Sequence, residues 1–294
     1  MDKKIGLITI NYYSESLVKN FIKYLILQTY RNWILIIVDN GKSDNSLEDF
    51  IKLIKDNRII IINSDINLGY SRANNLAYSY VIEKNLINSD DILCFSNSDI
   101  ILNDRNVLEK LVNNMNNLQC DFIGPKIINN DGGMMLPHLK ESNYFKILFH
   151  LGNNGLADKF FKYNYKLKKI NNIIEVFLLN GSFILCKVSS FEKVGKFDPS
   201  IFLYFEEEIL FRKAKKLGMK VIYSPVVNVK HYHSAIVNEK IGTLNKKLSV
   251  LNSEKYILKN IFKSNKFALV FFNFERFLEL LFFKIFHKPK KIVE

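Results

Sequence analysis

Three clusters of polar residues in this chain carry atoms suited to chemistry. The first closes a short apolar run, Asp91-Ile-Leu-Cys-Phe-Ser-Asn-Ser-Asp99, where Asn97 and Asp99 set an amide oxygen and a carboxylate one residue apart. Hard oxygen donors in that arrangement suit a divalent cation that keeps part of its water and shares its remaining shell with phosphate. The second is Glu206-Glu207-Glu208, at the head of a helical stretch that runs to Leu217 and stops before Gly218. Acidic residues in a first turn are favoured by the helix dipole. The third lies in Val229-Lys-His-Tyr-His-Ser234, where alternation places His231 and His233 on one face of an extended segment.

These clusters need a frame to converge, and the first 130 residues supply its rhythm. Ile5–Ile10, Trp33–Val38, 58–62 and Ile92–Phe95 are short, rich in Ile and Val, and bounded by polar turns, which predicts strands. Residues 16–27, 46–55, 71–84 and 104–117 between them carry helical spacing. A βαβα alternation predicts an α/β fold, a mostly parallel sheet with helices on both faces. Ligands of such sheets sit outside the carboxyl ends of the strands. Each of those ends is polar here: Asn11, then Asp39, then Asn63 to Asn67, then Asn97 and Asp99.

Composition bounds the rest. The chain has 294 residues, 48% of them hydrophobic, enough for a sizeable core. Cys94, Cys120 and Cys186 are far apart inside apolar runs, without disulfide or metal spacing. The sequence enters a strand pattern at Ile5 with no secretory pattern before it, which predicts a cytoplasmic protein. The net charge of +13 falls entirely in the second half: residues 1–150 hold 16 Lys and Arg against 17 Asp and Glu, residues 151–294 hold 26 against 12. No zinc-finger or RNP-type motif accompanies that charge, so nucleic acid is not the expected partner. Basic residues interleaved with Phe and Leu point instead to an anionic membrane surface.

Three regions are expected: 1–130, 131–238 and a basic, aromatic helical extension over 239–294. The stretch from Gly132-Gly133 to about Asn172 is less regular and basic, and is expected to cover the site. Phe267–Phe286 contains eight Phe but is interrupted by Glu275, Arg276, Glu279 and Lys284. Each such charge costs about 2.5–3.5 kcal/mol at a bilayer centre. A spanning helix is therefore disfavoured. An interfacial helix, peripheral at the inner face of the membrane, or a helix packed on the body or in a homodimer interface, are the two expectations.

The motifs together resemble family-two glycosyltransferases with the GT-A fold, rhamnosyltransferase-like branch. Leu27-Gln-Thr-Tyr-Arg-Asn-Trp33 with Ile36-Ile-Val-Asp-Asn-Gly-Lys-Ser-Asp44 looks like their opening, and Asn67-Leu-Gly-Tyr-Ser-Arg-Ala-Asn-Asn75 like their second signature. Phe95–Asp99 resembles their D-x-D-type metal motif. Leu179-Asn-Gly-Ser182, Val194-Gly-Lys-Phe-Asp198 and Phe202–Glu208 resemble their acceptor-side block. The resemblance covers roughly residues 4–234.

It implies an inverting, metal-dependent enzyme that moves a sugar, rhamnose foremost, from a UDP- or dTDP-sugar donor to a hydroxyl of a lipid-linked glycan precursor. Asp39 is assigned to the base of the nucleotide, with Thr9 and Asn11 lining the nucleoside pocket. Asn67 and Gly69 form a tight turn before a helix whose N-terminus, with Arg72, is expected to face the diphosphate. Asp99 is the expected Mn²⁺ or Mg²⁺ ligand with Asn97 a weaker one, and His231, ranked before His233, contacts metal or phosphate. One of Glu207, Glu206 and Glu208, in that order, is the expected base. Relatives usually show E-D-x-D-L where this tract reaches Ile209-Leu210 one residue sooner. The alternative is a catalytically weak nucleotide-sugar-binding subunit of a glycan-assembly complex. A nucleotidyltransferase would carry a Gly-rich loop after the first strand, where this chain has Asn11-Tyr-Tyr-Ser-Glu15.

Overall fold

The computed structural model describes residues 3–41, 46–149, 170–232 and 243–286. They fall into two compact units, one formed by residues 1–141 and 169–246, the other by residues 142–168 and 247–294. The two regions expected over 1–130 and 131–238 thus contribute to one sheet, and residues 142–149 group with the C-terminal extension.

The sheet of the first unit begins with β1 (Ile5–Asn11), β2 (Trp33–Asn40), β3 (Ile59–Ser64) and β4 (Ile92–Asn97), parallel in the order β3-β2-β1-β4. It continues through β9 (Phe183–Lys187), antiparallel to both its neighbours, into β6 (Phe122–Asn129) and β10 (Val221–His231), which are parallel to each other. The two-residue β5 (Ile100–Ile101) closes the edge, and β7 (Met134–Met135) and β8 (Ile174–Glu175) pair with β6 and β10.

Each of the four expected strands extends one or two residues beyond its apolar run. The reason is the register: Asn11 pairs with Asp39, and Asp39 with Asn63, so the polar tips are the last members of the ladder. Strands buried on both faces explain the nearly continuous apolar sequence. Leu7, Leu35, Ile37 and Cys94 face a core shared with α1 (Glu15–Ile26), α2 (Ser46–Ile54) and α4 (Val107–Leu118). Ile8, Ile36, Val38 and Phe95 face the opposite core, shared with α3 (Gly69–Glu83), α6 (Val188–Lys193) and α7 (Glu206–Lys216). The helix expected from Asp104 starts later because Asp104 accepts a bond from the Asn106 amide at 2.9 Å, a turn that precedes the first helical residue. All three cysteines are buried free thiols.

The stretch expected to be irregular contains β7, a bridge between His138 and Leu178, and α5 (Tyr144–Leu148); residues 150–169 lie outside the described residues. In the second unit, α5 is joined by the C-terminal part of α8 (Thr243–Tyr256), a π-helical turn at Ile257–Ile261 and α9 (Lys266–Phe286). Tyr144 meets Phe262 edge-on at 5.5 Å and Phe149 meets Phe271 at 5.7 Å. No helix among the described residues is long and apolar enough to cross a membrane.

Candidate functional site

At the carboxyl edge of the parallel strands, Asn11 is fully buried and fully engaged. Its amide donates to Asp39 Oδ1 at 2.9 Å and to Glu15 Oε1 at 3.2 Å. Its carbonyl oxygen accepts from the Ser14 amide and hydroxyl, both at 3.0 Å. An amide spent in this way positions its neighbours. The expected role of Asn11 in lining the nucleoside pocket therefore becomes an indirect one, holding the Asp39 carboxylate in place. Asp39 itself sits at the rim, 8% exposed. Thr9, two residues below on the same face, is wholly buried, and its hydroxyl has no hydrogen-bond partner among the described residues.

The Asn67–Asn75 signature does something its sequence does not announce. Asn40 donates to Asn67 Oδ1 at 2.9 Å and accepts from the Leu68 amide at 2.7 Å, while the Gly69 amide donates to Asn67 Oδ1 at 2.9 Å. The next amide, Tyr70, donates to the Phe202 carbonyl at 2.7 Å. The Leu68, Gly69 and Tyr70 amides that open α3 are thus engaged within the chain, and this terminus grips another loop of the same chain; the diphosphate role expected of it rests on the resemblance alone. Arg72 is exposed and donates to the Pro199 carbonyl at 2.8 Å, and Asn75 exchanges bonds with the Phe197 backbone at 2.8 and 3.3 Å. Gly69, with φ of +76°, is required by that grip, since a Cβ there would overlap the Phe202 carbonyl.

Asp99 and His231 meet directly. The chain turns after β4, and β5 runs antiparallel to the end of β10, with His231 opposite Ile100. The Tyr232 amide donates to the Asp99 carbonyl at 2.8 Å, and Asp99 Oδ1 stands 2.9 Å from His231 Nε2. His231 Nδ1 lies 3.3 Å from Met135 Sδ. An octahedral Mg²⁺ shell with ligands at about 2.0–2.1 Å sets adjacent ligand atoms about 3 Å apart. The 2.9 Å between Asp99 Oδ1 and His231 Nε2 is compatible with two such corners, and the two side chains are those that would hold a cation there. Among the described residues no cluster of three or more His, Cys, Asp or Glu that could hold a metal ion is found. Asn97 is half-buried, with its backbone amide donating to Ser182 at 2.9 Å. His233 lies outside the described residues.

The three glutamates separate by environment. Tyr204 and Phe205 both adopt left-handed backbone, φ +67°, and so aim the start of α7. Such non-glycine conformations cost of order 1–3 kcal/mol each and persist where the surroundings impose them. Glu208 is buried against Arg212, 2.8 Å from Nη2 and 2.9 Å from Nε, which removes it from the role of base. Glu206 and Glu207 press against each other. Burial, then the Glu207 charge, raises the Glu206 carboxyl well above its usual range. Burial pushes Glu207 up to about 7, opposed by a helix amide and reinforced by the Glu208 charge. Of the two, Glu207 is the carboxyl held nearer to neutrality.

Short contacts tie these clusters into one region. A Cβ at Gly181 would lie 3.6 Å from the Glu207 carboxyl carbon, so the carboxylate rests over that backbone. Ser182, the next residue, accepts the Asn97 amide at the head of the metal-type turn. Tyr70 donates to the Gly181 carbonyl at 3.0 Å, and its phenol is held well above its ordinary range by burial and by the charges of Glu206 and Glu207. Asn40, Tyr70, Phe202 and Met135 were not among the expected site residues. The Asp-Asn pair at the end of β2 and the Gly-Tyr pair opening α3 were the signals available for the first two.

The model of the family "Glycosyl transferase family 2" matches residues 6–195. The low-salt glycan biosynthesis hexosyltransferase Agl10 of Haloferax volcanii is 25% identical over 227 residues, 77% of this chain and 66% of that protein. The O-antigen chain rhamnosyltransferase RfbN of Salmonella typhimurium is 26% identical over 238 residues, 81% of this chain and 69% of that protein. The chain thus matches about two thirds of the length of these relatives. Among solved structures, GalNAc-T7 with UDP, GalNAc and Mn²⁺ superposes with a TM-score of 0.59 at 13% identity, over 98% of this chain and 58% of that one. A family model that spans residues 6–195, most of this sheet, has one consequence: the chain, with its GT-A fold, belongs to glycosyl transferase family 2.

Proposed function

We propose that this enzyme is an inverting, divalent-metal-dependent transferase that passes a sugar from a UDP- or dTDP-sugar to a hydroxyl of a lipid-linked cell-surface glycan precursor. Rhamnose is the first sugar to test, because the similar RfbN is an O-antigen rhamnosyltransferase. The observation that carries the reading is Glu207: a half-buried carboxylate poised to ionise near pH 7, resting over Gly181 and linked through Ser182 to the Asn97–Asp99 turn. In a single displacement Glu207 takes the acceptor hydroxyl's proton while that oxygen bonds to C1 of the sugar. The C1–O bond to the diphosphate breaks with its electron pair leaving on the nucleotide. Asp39, fixed by Asn11, accepts the imide N–H of a uracil or thymine. Asp99 and His231 would hold Mn²⁺ or Mg²⁺, which supplies positive charge to a leaving diphosphate.

We propose a cytoplasmic enzyme, peripheral at the inner face of the membrane; the similarity to WfgD, a glucosyltransferase named for a diphosphoundecaprenol substrate, supports work at a membrane. The deciding experiment is donor turnover by the purified protein across UDP- and dTDP-sugars, with Mn²⁺ and with chelator. Transfer at an equal rate by a Glu207→Gln variant would remove Glu207 from the role of base. Transfer that persists in chelator would remove the metal.

A further inference from the structure

We infer that the Phe-rich face of α9 is a docking surface for an anionic lipid bilayer, lying in its interface without crossing it. The evidence is an inverted sorting of side chains in the second unit. Three of the charges that interrupt the apolar helix, Glu275, Arg276 and Glu279, point inward: Arg276, 4% exposed, stands 3.2 Å from Glu279, 3.4 Å from Glu275 and 3.7 Å from Glu254. It also donates to the carbonyls of Ile147 and Leu148 at 3.4 and 3.3 Å, and Lys247 reaches Glu279 at 2.7 Å. Glu254, Glu275 and Glu279 are the acidic residues among the described part of this unit, and all are drawn into that network.

Among the described residues of this unit, the exposed side chains are apolar, cationic or neutral amides, and none is acidic. Phe267, Val270, Phe274, Phe277 and Leu281 form a stripe at alternating spacings of three and four, 87%, 66%, 60%, 62% and 44% exposed. Phe145 of α5 is 63% exposed. Lys255, Lys259, Lys263 and Lys266 are the exposed charged side chains described in this unit. A lysine-flanked apolar stripe with its acids withdrawn matches the two attractions that seat a helix in an anionic leaflet, apolar burial and headgroup charge. The stripe's spacing also resembles a coiled-coil seam. Such a seam relies on opposite charges at its flanks. Here those flanks carry Phe271, Asn273, Leu278 and Lys266, which supply no acid to pair with a lysine of a second copy.

The test is co-sedimentation of the full chain with phosphatidylcholine vesicles and with mixed phosphatidylcholine–phosphatidylglycerol vesicles. It is run on the wild type, on a Phe274→Ser, Phe277→Ser double variant, and on a Lys263→Glu, Lys266→Glu double variant. These positions are exposed, so an unchanged melting temperature confirms that folding is intact. Expected are binding to the anionic vesicles alone and a loss of about ten-fold or more in each variant. Sedimentation velocity without lipid is run alongside. Wild type that stays in the supernatant, equal pelleting by the Phe variant, or a wild-type dimer that this variant dissolves without loss of vesicle binding each overturns the inference. None of these readouts depends on sugar transfer, so the assignment stands or falls apart from the proposed reaction.

Discussion

Gly69 faces the backbone of Phe202 across a gap that admits no side chain: a Cβ on Gly69 would stand 2.6 Å from the Phe202 ring carbon Cδ2 and closer still to its carbonyl oxygen. That oxygen accepts the Tyr70 amide at 2.7 Å. Three residues later the left-handed backbone at Phe205 opens the helix that presents Glu206 and Glu207. The start of α3 and the start of the acidic helix are therefore one mechanical assembly.

A Gly69→Ala substitution has to move backbone on both sides and also occupy a positive φ. It is expected to lower stability by about 2–4 kcal/mol, from steric overlap and left-handed strain together. Urea unfolding of wild type and variant measures it. A midpoint unchanged within error would mean that the α3–Phe202 contact is loose in solution.

Glu207 makes stability and activity run in opposite directions with pH. Its carboxyl is raised to about 7 from an ordinary value near 4.5, so the folded state holds a proton that the unfolded chain has released. The stability contributed by that proton is fully present below pH 4.5 and is lost as pH rises through 7. A Glu207→Gln variant is expected to exceed wild type in stability at pH 8, on the order of 2 kcal/mol, and to match it near pH 4.5. The transfer rate of the wild type should climb with ionisation of this group and level off above about pH 7. A variant no more stable than wild type at pH 8 would place the titration elsewhere.

Arg212 tests the separation of the glutamates. It is buried and paired with buried Glu208, so Arg212→Met leaves an uncompensated carboxylate in the core. Breaking one side of a buried pair costs about 3–5 kcal/mol. Arg212→Met combined with Glu208→Leu removes both charges and should recover most of that loss. Melting curves of the single and double variants decide it; no recovery in the double variant would show that Arg212 acts through other partners.

How much of this was legible follows from the range of each interaction. The strands and their polar tips were readable, because a strand buried on both faces writes a continuous apolar run that its carboxyl-end residues break. The grouping of Glu206 and Glu207 was half readable: Glu208 and Arg212 are four apart on a helix, the spacing of an intrahelical ion pair, and that spacing is the physical reason for the last place Glu208 holds in the expected order. The grip of α3 on the Phe197–Phe202 loop was not readable. It joins residues more than a hundred positions apart through backbone carbonyls, which no side-chain pattern records. The acids within the Phe-rich helix signalled an obstacle to spanning a bilayer, but not that they turn inward towards Arg276.

The family resemblance assigned both Asp99 and His231 to the metal, but local sequence pattern could not show their direct contact, since the strand that creates it, β5, has only two residues. It yields the sharpest test of the metal reading. If the pair holds a cation jointly with a donor's diphosphate, Mn²⁺ should bind weakly to the protein alone and much more tightly when UDP or dTDP is present. Asp99→Ala should abolish that cooperative gain, and His231→Ala should weaken it by about ten- to a hundred-fold, the usual toll of losing a ligand or its supporting partner. The Mn²⁺ electron paramagnetic resonance signal, titrated with each variant, reports bound and free ion without any sugar transfer. Undiminished Mn²⁺ uptake by Asp99→Ala in the presence of nucleotide would reduce the 2.9 Å contact to a structural hydrogen bond that pins β5 against β10.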